Sequence, residues 1–198
     1  MRGLLKFSGA IDRLNAQVGK WVIWLILAST VISGINAVVR KAFNVSSNAY
    51  LEVQWYLFAA AFLLAAGYTL LNGEHVKIDV ISSRLSKRKQ IWIDIIGFAF
   101  FLAPMCLIVL WFGIPFFLQG FHSGEMSSNA GGLIRWPVYL MMPTGFALLL
   151  LQGLSELIKR IAFLQGLIPD PTEKKVAKTA EEELAEELRR QAEAQGRV

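Results

Sequence analysis

Charge is what this chain lacks over most of its length. Four runs contain no Asp, Glu, Lys, Arg or His: residues 21–39, 53–73, 95–121 and 136–155. Only 18% of the 198 residues are charged, against roughly a quarter in soluble domains. A helix rises 1.5 Å per residue, so about 20 apolar residues cross a hydrocarbon core of roughly 30 Å. Each run is long enough. The first carries ten Leu, Ile or Val residues, worth about −3 to −6 kcal/mol on an insertion scale, more than the single Asn36 costs. A soluble fold would have too little polar surface left to cover four such helices.

Cysteine and histidine are nearly absent as well. The single Cys106 lies inside the third run, so it has neither an intrachain disulfide partner nor a metal-ligand companion. His75 and His122 fall on opposite sides of the membrane in the topology argued below, so they do not share one haem or metal, and no axial-ligand pair faces a bundle interior. No cofactor is therefore expected. No nucleophile–base arrangement, glycine-rich phosphate loop or paired carboxylate is present, and catalysis is not expected. The first run is longer than a secretory signal core, and Arg40-Lys41 follow it where a small-residue cleavage site would stand, which predicts an uncleaved first span.

What charge there is lies beside the runs. Arg2, Lys6, Arg13, Lys20, Lys77, Arg84, Lys87, Arg88, Lys89, Lys159 and Arg160 fall on one side, and Arg40, Lys41 and Arg135 on the other. Eleven against three predicts both termini and the central loop in the cytoplasm. The net charge of +5 therefore reports topology and contact with anionic lipid, and no nucleic-acid partner is expected. The expected fold is an all-α membrane protein of four transmembrane helices, with spans at about 21–43, 50–73, 91–118 and 137–162 forming a membrane domain over residues 21–165.

Flanking segments complete the plan. Leu4, Phe7, Ile11, Leu14 and Val18 recur at helical spacing, which predicts an amphipathic interfacial helix over residues 1–20. Ile78, Ile81 and Leu85 repeat that pattern more briefly. The third run is too long for a straight crossing, so it must tilt, bend or end early, with Pro104 and Pro115 as the candidate bends and residues 116–121 expected at the interface. After Pro169-Asp170-Pro171 the composition changes to Ala, Glu, Lys and Arg, a charged cytoplasmic tail over 166–198.

The candidate structural or interface residues sit at the span ends. Arg40 and Glu52 flank a short polar turn, where they either pair across the hairpin or snorkel separately. His75 and Asp79 are spaced to share a helix face. Trp136-Pro137 opens the fourth span, with proline in a first turn that does not need its N–H. Pro143 lies deeper and frees a backbone acceptor, and Gly145 beside it marks a close-packing surface.

These motifs occur in a particular order: Asn36-x-x-x-Arg40, Glu52 opening span two, Gly73-Glu74-His75-Val76-Lys77-Ile78-Asp79 after it, then Trp136-Pro137-Val138-Tyr139, Pro143-Thr144-Gly145-Phe146 and Leu151-Gln152. Over roughly residues 15–165 the chain resembles the small membrane subunit, the DctQ family, of tripartite ATP-independent periplasmic (TRAP) transporters. It departs from that pattern at Val53, where many relatives carry a second acidic residue beside Glu52. The resemblance implies an accessory scaffold in the bacterial inner membrane. It also implies a stable partner, the large membrane subunit, and a transient one, a periplasmic binding protein that delivers an organic acid for sodium-coupled import. Residues 128–133 resemble a branch handling monocarboxylates or 2-oxoacids. Two other readings stay open: a membrane anchor for a redox enzyme, and a small stand-alone channel or exporter lined by Thr30, Ser33 and Asn36.

Overall fold

The computed structural model describes residues 1–44, 47–74 and 85–171. It contains four helical spans long and apolar enough to cross a membrane. In hydrocarbon every backbone N–H and C=O needs an internal partner, and a helix supplies one within each segment. Helix α1 runs from Arg2 to Phe43 and α2 from Asn48 to Leu71. The third span is composite: α3 (Lys87–Gly97), a π-helical turn (Phe98–Leu102) and α4 (Ala103–Ser123). Helix α5 runs from Trp136 to Leu164.

The helix ends follow local chemistry. α1 stops where Asn44 takes the left-handed conformation (φ 55°), which asparagine tolerates better than most residues, and Arg40 and Lys41 complement the carbonyl end of the helix dipole. α4 stops at Gly124, φ 61°. α5 starts with Pro137 in its first turn, as expected of a position that needs no N–H.

Helix α5 is the hub. α1 and α2 pack on each other as an antiparallel pair, and both pack on α5. The third span lies on another face of α5 and makes its substantial contacts with that helix alone. The four helices therefore form an open arrangement, and Trp111 and Phe112 on α4 stay 77% and 69% exposed. Glycine sets the closest approach within the core. A Cβ added at Gly145 would lie 2.5 Å from the Leu63 carbonyl oxygen of α2, and one at Gly67 would lie 3.1 Å from the Leu148 carbonyl oxygen of α5.

Three of these elements take a definite form. First, α1 is unbroken through residue 20, so the amphipathic segment is the leading half of the first helix. Its buried stripe is Ser8, Ile11, Asn15, Gly19 and Val22, while Leu4, Phe7 and Leu14 stay exposed. At 100° per residue this stripe is rotated about 60° from the apolar one. Second, the third span departs from regular α-helix just before Pro104. The Ala103 N–H bonds to the Phe98 carbonyl, five residues back, a wider turn that relieves the clash between a proline ring and the carbonyl four residues earlier. Pro115 lies within α4 without ending it. Third, α4 continues through residues 116–121, where Phe116 stacks on Tyr139 with 4.4 Å between centroids and Phe121 meets Trp136 edge-on at 5.5 Å.

Candidate functional site

Polar side chains gather at the two ends of the hub helix. At the hairpin end, Glu52 in the first turns of α2 is 1% exposed. Its carboxylate accepts the Ser127 hydroxyl, the Asn129 amide at 2.8 Å and the Leu133 backbone N–H at 2.6 Å. These three neutral donors hold it, and among the described residues no cation is paired with it. The loop between α4 and α5 is thereby wrapped onto α2 and closes on itself, with Ser127 N–H bonding to the Leu133 carbonyl and Arg135 N–H to the Glu125 carbonyl, each at 2.9 Å. Asn48 adds a bond to the Ala130 carbonyl at 3.0 Å. Glu125 accepts Tyr139 at 2.9 Å and Arg135 at 3.3 Å. A hydrogen bond with Tyr139 holds the Arg135 guanidinium above its ordinary range.

This corrects the pairing considered for Arg40 and Glu52. Among the described residues Arg40 is not a partner of Glu52. Burial explains the outcome: a desolvated carboxylate needs several short directional donors, and the folded loop supplies them at fixed positions.

At the opposite end, α1, α3 and α5 are joined by a second polar cluster. Ser8 and Ser155 share a hydroxyl–hydroxyl bond of 2.7 Å, and the Asn15 amide donates to Gln152 at 2.9 Å. Asp12 accepts Gln152 (2.9 Å), Ser155 (2.7 Å) and Lys159 (3.1 Å). Glu156 pairs with both Lys159 and Arg160 along α5. Arg160 also reaches Asp94 of α3 at 2.9 Å and lies 4.7 Å from the centre of the Phe98 ring in the π-turn. The cluster sits deep: Asn15, Gln152 and Ser155 are fully buried and Glu156 and Arg160 nearly so.

Most of this cluster is missed by sequence reasoning. Asn15, Ser155 and Glu156 are ordinary residues one at a time, and the available signal is the helical spacing of Ser8, Ile11, Asn15 and Gly19, which apolar patterning ignores. The other sequence candidates fall as follows. Trp136 and Pro137 form the start of α5; Pro143 and Gly145 are buried in it, Gly145 against α2. His75 and Asp79, like Ile78, Ile81 and the tail from 172 onward, lie outside the described residues. Among the described residues no group of three His, Cys, Asp or Glu is arranged to hold a metal ion. What both clusters do chemically is fasten helices and a loop to the hub.

Four membrane-capable helices, fastened to one another at both ends through buried polar groups, define a multi-pass membrane protein. The particular family is the DctQ component of the tripartite ATP-independent periplasmic transporters, which matches residues 29–163; the chain belongs to it and is a membrane component of such a transporter. The first 28 residues, including Ser8, Asp12 and Asn15, precede the matched stretch. No curated protein and no solved structure matches the chain.

Proposed function

We propose that this chain is the non-catalytic, fixed scaffold subunit of a TRAP transporter, with both termini in the cytoplasm. It is held stably against the large membrane subunit, while a periplasmic binding protein delivers an organic acid for sodium-coupled import. The observation that carries the reading is where the polar groups go. Glu52, Asp12, Asp94, Glu156, Lys159 and Arg160 are engaged in fastening this chain's own elements, and the spans between them carry no charge. A cargo or ion path through the membrane needs free polar or ionisable groups along its length. A bundle whose buried ionisable groups are committed to its own packing suits a rigid support, because the polar groups left over, Arg40 and Lys41 among them, lie at the hairpin end and do not line a path from one end of the spans to the other. Uptake of the substrate into vesicles containing both membrane subunits, compared with vesicles lacking this chain, tests the reading. Support predicts uptake that depends on this chain and no flux from this chain alone; flux from the isolated chain would sink it.

A further inference from the structure

The surface of the spans is of two kinds. Along the middle of α4 it is apolar, with Leu107, Ile108, Trp111 and Phe112 all exposed, and acyl chains solvate that stretch without loss. Between α1 and α2 at the hairpin end it is polar. A groove of about 660 Å³ is lined there by Ser33, Asn36, Arg40, Lys41 and Gln54. Ser33 and Asn36 lie within the first uncharged run and Gln54 within the second. Among the described residues the side chains of Asn36, Gln54 and Arg40 have no hydrogen-bond or ion-pair partner. Glu52, the one carboxylate that α2 offers nearby, is already engaged by Ser127, Asn129 and Leu133. Unpartnered amides are costly wherever hydrocarbon covers them.

We propose that this groove is the seat of a transmembrane helix of the large subunit, which presents a carboxylate to Arg40 and Lys41 and hydrogen-bonding groups to Asn36 and Gln54. The inference rests on the transporter-subunit reading and adds which face the partner covers. Charge complementarity assigns the carboxylate, because both cations stand at one rim without an anion among the described residues. Depth assigns a helix over a lipid headgroup: Asn36 lies one helical turn below Arg40 and Ser33 nearly two, about 6 and 10 Å along the axis. A phosphate stays at the rim, whereas a polar helix face reaches every level of the groove.

The test is to co-express the tagged full chain with the large membrane subunit and measure the large subunit retained on it in detergent. Asn36→Leu and Arg40→Glu are expected to cut retention about tenfold or more, the first by leaving a polar group of the partner unpaired and the second by setting a carboxylate against a carboxylate, and Arg40→Lys to restore much of it. Trp111→Leu on α4 changes only the apolar surface and serves as the control; it should leave retention unchanged. If the Asn36→Leu and Arg40→Glu chains retain the large subunit as the unaltered chain does, the proposal is overturned. If retention is unchanged and co-purified phospholipid falls instead, the groove holds a headgroup and the proposal is equally overturned. An unaltered chain that retains no large subunit overturns the transporter-subunit reading itself, and with it the occupant named here.

Discussion

Glu52 and Gly145 are the residues on which local geometry depends most directly. Glu52 organises a loop 75 residues or more downstream, because its two oxygens are the acceptors that Ser127, Asn129 and Leu133 share. Glu52→Ala removes all of them at once. It should raise hydrogen exchange at the Leu133 amide by at least about tenfold and open the 123–135 loop to protease, while α2 stays helical. Glu52→Gln keeps an acceptor but brings an NH₂ group among donors, so it should fall between the two. Gly145 acts through absence of a side chain. Gly145→Ala places a methyl 2.5 Å from the Leu63 carbonyl oxygen and should destabilise the folded chain by about 1–3 kcal/mol through overpacking. Gly34→Ala, with open space around it, should be neutral or slightly stabilising in thermal unfolding.

Between elements, Arg160 is the tie to follow. It joins α5 to α3 through Asp94, to its own helix through Glu156, and to the π-turn through Phe98. Removing one partner of a buried ionic cluster leaves the others desolvated and unpaired. Arg160→Met should therefore cost roughly 3 kcal/mol in detergent unfolding, and the third span should loosen from the hub before α1 and α2 do. Lys159 remains on Glu156 and Asp12 in that variant, so the attachment of α1 should survive. Equal loosening of α1 and the third span would show that the cluster behaves as one undivided unit. The continuous α1 belongs to the same scale: its leading half is held by Ser155, Gln152 and Lys159, so its docking on α5 uses hydrogen bonds where a soluble helix would use a stripe of leucines.

For the whole molecule, the proposed topology is directly measurable. In a chain carrying Cys106→Ala, the thiol introduced by Ser128→Cys should react with an impermeant reagent in intact cells, and the one introduced by Ser86→Cys should react after the membrane is opened. The reverse pattern would place the termini outside. Among the Lys and Arg that flank the spans, eleven on one side against three on the other support the first outcome.

Much of this was legible in the linear chain. The uncharged runs determine four spans, because hydrocarbon rejects unpaired backbone and charge whatever the neighbours are. Proline at 137 marks the start of α5, and the order of Glu52, Trp136 and Pro143 carries the family likeness, since each depends on local backbone chemistry or on position at a span end. Tertiary structure alone decided which helix is central, that Glu52 belongs to a distant loop and not to Arg40, and that α1 buries Ser8 and Asn15 in place of Leu4 and Phe7. The physical reason is that in a membrane apolar pattern no longer separates core from surface. Lipid accepts Leu and Phe as readily as a protein interior does, so the polar and small residues choose the packing faces, and their partners lie far away along the chain.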